Sequence, residues 1–429
     1  MSTPSLSTLD SRLPTVTLPA LHIEDPALGP IAEKVAAGER LAVDDALALF
    51  ESPDFLTIGA LADAANRARN GDRVYFSSNQ HINPTNVCVL RNTCVFCSFA
   101  RMPKEEGAYT RTLAEVLVEA GQAKSAPTRE FHIVGGLHPK LRLSYYTDMI
   151  RALREAYPGV HVKALTAVEI AHLARIEKSS VRDVLVALQE AGLTTMPGGG
   201  AEVFSTAVRA TIADRKLAGE EWLAVHREAH RLGIPSNCTM LYGHVETARD
   251  RAEHLLQLRD LQDETGGFLT YIPLAYHPDN NELGAEKGWT GRATQGMDDL
   301  KNIAVGRLFL DTIPHVKTHW PMVTAFVSQV ALHFGADDVE GTVVYERIYH
   351  EAGAGTPMEM LYSDLVRMVR DAGKEPVERD SLYAPVSMAA VENGGGSKDE
   401  GIEKAAPGPS PSFDPPVVRS PASPVSSAE

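Results

Sequence analysis

Three of the chain's four cysteines lie between positions 88 and 97, as Cys88-x5-Cys94-x2-Cys97. In a reducing compartment such a group points to metal ligation rather than to disulfides. Three thiolates are one short of the four that close an iron-sulfur cluster. A 4Fe-4S cluster held by Cys88, Cys94 and Cys97 would therefore keep one iron open. S-adenosylmethionine (SAM) can chelate that iron through its amino and carboxylate groups. An electron from a reducing donor then releases a 5'-deoxyadenosyl radical, which the protein must place. A structural zinc site and a trio of buried thiols are the competing readings. Zinc wants a fourth ligand, and no second Cys-x-x-Cys supplies one. Cys238, in IPSNCTML, falls inside a candidate strand and reads as a core residue.

Cluster chemistry of this kind needs a frame that brings distant loops to one mouth. Short β-rich runs alternate with helical runs downstream of the motif, the signature of parallel βαβ units. The candidate strands are His81–Asn86, Glu130–Gly135, His161–Val168, Thr194–Gly198, Pro235–Tyr242, Phe268–Tyr276, His315–Val323 and Val330–Phe334. Eight strands with intervening helices predict a (β/α)8 barrel, whose active-site groups sit at the C-terminal ends of the strands. Thr112-x-x-Glu115 is a capping box, and Ser180-x-x-Asp183 and Thr247-x-x-Asp250 are weaker versions of it. The expected organisation is an extended arm over 1–30, helices over 31–80, the barrel over 81–345 and a helical extension over 346–391. A Gly, Pro and Ser rich tail over 392–429 is expected to be disordered.

The 429 residues are 44% hydrophobic and 23% charged, ample for a large core. A formal net charge of -15 without a basic stripe argues against a nucleic-acid partner and leaves a small molecule as the expected one. No basic start followed by an apolar run opens the chain, and no stretch is long enough to span a bilayer, so the expectation is a cytoplasmic protein without membrane insertion.

The segments HINPTNVC, VGGLHP, ALTAVEI, MPGGGAE, MLYGHVE, IPLAYHP and LHFGADD together resemble the menaquinone-pathway branch of the radical SAM superfamily, over about residues 31–386. Within it the chain is most similar to the aminofutalosine (aminodeoxyfutalosine) synthases, through TAVEI, TMLYGHVETARDR, LRDLQDETGGF and HFGADDVEGTV. The related cyclic dehypoxanthinyl futalosine synthases more often carry Pro-Pro-Glu where this chain has Ala167-Val168-Glu169. The resemblance implies addition of the 5'-deoxyadenosyl radical to an aromatic enol ether, 3-[(1-carboxyvinyl)oxy]benzoate. One departure stands out: the superfamily's common motif has three residues between its first two cysteines, and this chain has five.

Further candidates lie at predicted strand ends. Gly135 and Gly136 would let backbone approach the methionyl amine of SAM, as the family's paired glycines do, or simply make a tight turn. Glu202, shortly after Gly198-Gly199-Gly200, could bind the ribose hydroxyls. Glu169 could accept from a ribose hydroxyl, or serve only as a first-turn helix carboxylate. His138, His244, His277 and His319, with Lys163, Lys317 and Arg91, are candidates to hold a substrate bearing two carboxylates. Asp337 and Asp338 read as a loop or helix cap.

Overall fold

Alternation of short apolar runs with amphipathic helices builds a wall of parallel strands, each closed by a helix that lays one face upon it. The computed structural model describes residues 15–388, except 123, 292 and 293. Its strands are β1 (Arg73–Ser77), β2 (Asn79–Ile82), β3 (Glu130–Ile133), β4 (His161–Ala164), β5 (Ser236–Tyr242), β6 (Phe268–Ala275), β7 (His315–Val316), β8 (Asp338–Gly341) and β9 (Glu375–Glu378). They form three parallel runs, β8-β1-β9, β2-β3-β4 and β5-β6-β7. Single parallel bridges stitch these together: Lys163 to Thr195, Met196 to Ser236, Lys317 to Asp338 and Gln80 to Val344. With β1 and β2 counted as one bent strand, eight strand positions close into a (β/α)8 barrel.

The local chemistry explains the elements. All three foreseen capping boxes form, with Thr112, Ser180 and Thr247 each accepting from the backbone N–H three residues on. The helix Val181–Ala191 buries Val184, Leu185, Leu188 and Ala191, a stripe of helical spacing laid on its neighbours. Phe131, Ile133, Val162 and Ala164 are fully buried along β3 and β4.

Four expectations need correction. Val330–Phe334 is the end of a helix, Ala325–Ala331, and its following turn; the eighth strand is β8. Thr194–Gly198 keeps its barrel position through two single bridges without becoming a strand. The His315–Val323 run is a two-residue strand followed by the helix Trp320–Val323, which Pro321 opens. Asp337 and Asp338 are fully buried ion-pair partners rather than loop caps: Asp337 receives Arg307 at 2.5 Å and Asp338 receives Arg379 at 2.6 Å. Strands β1 and β9 lie outside the 81–345 span yet flank one another beside β8. The foreseen tail over 392–429 lies outside the described residues.

Candidate active site

The motif loop follows β2 and is fixed by backbone bonds before any cofactor is considered. Cys88 N–H donates to Arg101 O at 2.9 Å, Val95 N–H to Ile212 O at 3.0 Å, and Cys97 N–H to Cys94 O at 3.0 Å. The two extra residues between Cys88 and Cys94 are absorbed in a compact turn. Thr93 and Cys94 both donate to Leu90 O at 2.9 Å, and Arg91 donates to Cys88 O at 3.2 Å. Leu90 N–H also points at Cys88 Sγ, 3.4 Å away, the kind of donor that tunes a cluster sulfur.

All three cysteines line one cavity of about 270 Å³ at the C-terminal ends of the strands, walled by apolar groups such as Leu90, Phe99, Leu137 and Ile272. Cys94 is 5% exposed, and burial pushes its thiol up to about 12; burial also raises Cys88. A bound cation is what such buried thiols need in order to ionise. Among the described residues, the ligand atoms that converge within 4.8 Å of one another are those of His81, His132 and Glu340, so the three sulfurs stand wider apart. A single zinc ion, with Zn–S bonds of about 2.3 Å, gathers its sulfurs more tightly; a multinuclear cluster needs the wider spread. The site therefore fits a 4Fe-4S cluster. Cys238 is fully buried in β5, its Sγ 3.6 Å from Thr270 O and outside the cavity lining, as the sequence suggested.

The glycines have definite mechanical reasons. A Cβ on Gly135 would stand 2.9 Å from Thr85 O, and one on Gly136 would overlap the Val87 carbonyl, so the pair presses against the cysteine loop itself. Both N–H groups are committed, Gly135 to Glu169 Oε1 at 3.0 Å and Gly136 to Thr85 O at 2.8 Å. Gly198 packs on β5, where a Cβ would stand 2.7 Å from Asn237 O, and Gly200 has φ +88°.

Glu169 lines the cavity yet has both oxygens engaged. Oε2 accepts from Thr166 N at 2.7 Å and Thr166 Oγ1 at 2.8 Å, completing a capping box, while Oε1 holds Gly135. Burial pushes its carboxyl up to about 7. Glu202 has φ 48° and lies against Lys216, whose ammonium donates to Glu202 Oε1. Burial pulls Lys216 down, but Glu202 and Cys94 hold it above the usual lysine range. The motifs gave no sign of Lys216, because it belongs to an irregular segment after the helix Thr206–Ile212.

The remaining candidates divide. His277 and His319 line the cavity, His277 bonded through Nε2 to Met322 O at 3.0 Å. His138 and His244 do not: His138 Nδ1 accepts the N–H groups of Lys140 and Leu141, and His244 Nδ1 accepts that of Val245, so both rings brace loops. Arg91 turns outward to Glu105 and Glu282. Lys163 and Lys317 are buried against Glu130 at 2.7 Å and Glu340 at 3.0 Å. The sequence reading missed His81, His132, Glu340 and Glu346, which line the cavity as well. In β2 and β3 the inward positions could have been found from alternation, since His81 and His132 are register partners.

Comparison with known proteins agrees with this geometry. The radical SAM superfamily model matches residues 82–258, and that of the CofH/MqnC C-terminal region matches residues 265–391. The chain is 47% identical to aminodeoxyfutalosine synthase of Thermus thermophilus over 85% of this chain and 98% of that one. It is 44% identical to the aminodeoxyfutalosine synthase of Streptomyces coelicolor, over 82% of this chain and 92% of the relative. The crystal structure of methylornithine synthase superposes with a TM-score of 0.65 at 16% identity, covering 81% of this chain and 97% of that one, which shows a shared fold. Three cysteines spread for a cluster at the mouth of a parallel barrel, and relatives matched over nearly their whole length, lead to one conclusion: the chain belongs to the aminodeoxyfutalosine synthase family of the radical SAM superfamily.

Proposed function

We propose that this chain joins the 5'-deoxyadenosyl group of SAM to 3-[(1-carboxyvinyl)oxy]benzoate, giving 6-amino-6-deoxyfutalosine, bicarbonate and methionine. The observation that carries this reading is the largely apolar cavity shared by three unpaired cysteines, in a chain of this family. Cys88, Cys94 and Cys97 would hold the 4Fe-4S cluster, which with SAM and one electron supplies the adenosyl radical.

The protein's own groups do the placing. The methionyl amine of SAM is a donor and needs acceptors; since the N–H groups of Gly135 and Gly136 are committed, the carbonyl oxygens of that turn are what they offer. Glu169 then acts on SAM through Gly135, as the strut that fixes the turn. Lys216 is the cation placed for a ligand carboxylate beside Cys94. It occupies one oxygen of Glu202 and leaves the other to accept from ribose hydroxyls. Apolar walls keep water from a reactive radical.

The electron donor is expected to be a separate low-potential reductant. Among the described residues no helix is long and apolar enough to cross a membrane. The test is anaerobic turnover with SAM and the enol ether, followed by mass analysis. Adenosine joined covalently to the aromatic product supports the synthase reading; free 5'-deoxyadenosine as the stoichiometric product overturns it in favour of a hydrogen-abstracting cyclase.

A further inference from the structure

Below the glycine turns, the apolar cavity ends in a well of imidazoles. His81 and His132 are register partners on β2 and β3, with ring centroids 4.5 Å apart, and His319 enters from the segment after β7. All three line the cavity. His81 Nε2, His132 Nδ1 and His319 Nε2 are buried with no hydrogen-bond partner. A buried nitrogen left unpaired costs about 1–3 kcal/mol, and His319 gives its Nδ1 proton to Glu340, so the nitrogens of His81 and His132 are the two that call for a ligand bringing oxygens.

The charges nearby decide which ligand. Lys163 pairs with Glu130 at 2.7 Å, Arg379 with Asp338 at 2.6 Å and Lys317 with Glu340 at 3.0 Å, so the fixed charges behind the rings cancel. A divalent cation on His81, His132 and Glu340 would have to share Glu340 with Lys317, with His319 at 3.3 Å and with Asn79 at 3.1 Å. It would also sit beside the Lys317 ammonium. An oxyanion finds imidazole donors in front and balanced ion pairs behind; the two carboxylates on the same wall are already engaged, Glu340 by Lys317 and Glu346 by the N–H groups of Ile348 and Tyr349 and by His350. Burial holds His132 well below the ordinary imidazole range and His81 down to about 4, so both rings enter as neutral groups with one N–H each.

We infer that His81 and His132 form the subsite for the ring carboxylate of the aromatic substrate, beside His319, whose Nδ1 proton is given to Glu340. This rests on the reading under Proposed function and extends it. His132 lies three residues before Gly135 on the same run, a depth of about 10 Å at 3.3 Å per residue. A meta-substituted ring holds its carboxylate and its vinyl group apart. With the carboxylate seated among the histidines, the vinyl carbons reach up to the level of the glycine turns and cysteines. The other carboxylate, which leaves as bicarbonate, stays with the reacting end.

The test is anaerobic calorimetric titration of the cluster-loaded protein with 3-methoxybenzoate and 3-methoxybenzamide, which share the ring and ether and lack the reactive vinyl group. The wild-type protein should bind the benzoate at least tenfold more tightly than the amide. His81→Phe and His132→Phe should erase most of that preference while leaving iron content, SAM affinity and amide binding near wild type. His132→Gln, which keeps a donor, should restore part of it. With the enol ether, His132→Phe should raise KM more than it lowers kcat. Equal wild-type affinity for the two probes overturns the subsite, as does an undiminished preference in both phenylalanine variants. A divalent ion beyond the cluster iron that His81→Phe removes would also overturn it. Failure of wild-type protein to form an adenosylated product would defeat the reaction assignment alone, because the carboxylate preference is read without turnover.

Discussion

Replacing Gly136 by alanine separates two explanations of the glycine pair. If Gly136 lacks a side chain only to admit SAM, Gly136→Ala should spare the cluster and weaken SAM. The structure argues otherwise: the added Cβ would overlap the Val87 carbonyl, a backbone group one residue from Cys88. Backbone cannot rotate away as a side chain can, and overpacking of this sort costs roughly 1–3 kcal/mol. If the cost falls on loop placement, the population with Cys88 in position drops roughly ten- to hundredfold. Gly136→Ala should therefore lower the urea midpoint of the apoprotein and leave it short of iron after anaerobic reconstitution. Gly199→Ala is the control, because its Cβ meets only Thr166 Cγ2 at 3.2 Å, so its iron content should stay near wild type. A Gly136→Ala protein with full iron, an unchanged urea midpoint and weakened SAM binding would refute the packing account.

Three other outcomes follow from the same geometry. Cys94→Ala or Cys97→Ala should abolish activity and bleach the cluster, leaving at most two protein thiolates, while Cys238→Ala retains its iron; iron analysis and the visible spectrum decide this. Lys216→Met and Glu202→Gln should each weaken SAM roughly ten- to hundredfold with the cluster intact, since either removes charge-assisted bonds worth about 1.5–3 kcal/mol, and unaltered calorimetric affinity in both would return the pair to a structural role. Glu169, raised by burial to about 7 from its ordinary 4.5, stabilises the fold most when protonated. Its contribution is complete below its unfolded value and lost as pH rises through about 7, so wild-type apoprotein should lose roughly 3 kcal/mol against Glu169→Gln across that window in urea titrations; a flat difference would show that the carboxyl is not so perturbed.

What could be read from the sequence was what local rules govern. The capping boxes at Thr112, Ser180 and Thr247 formed because each is a contract between residues three apart. The cysteine triplet could be read for the same reason. Val330–Phe334 was misread because five apolar-rich residues suit a strand or a helix end, and only the helix Ala325–Ala331 packing against Gly296–Phe309 decided it. β8 was missed because DVEG is acidic; its charges are tolerated because Arg379 and Lys317 arrive from distant parts of the chain.

The site divided along the same line. The sequence allows Glu169 to be either a ligand or a first-turn helix carboxylate, and the geometry joins the two, because the oxygen left over from the Thr166 box holds Gly135. His138 and His244 stand just past strands, where backbone N–H groups lack ladder partners and capture the nearest ring nitrogen. His81 and His132 stand inside their strands, where no loop backbone competes for them, and their side chains meet only across the sheet. In a barrel of this kind, a polar residue one position before a strand's end is therefore the better candidate for holding substrate. Its backbone is already paired in the ladder, and its side chain is left for whatever enters the cavity.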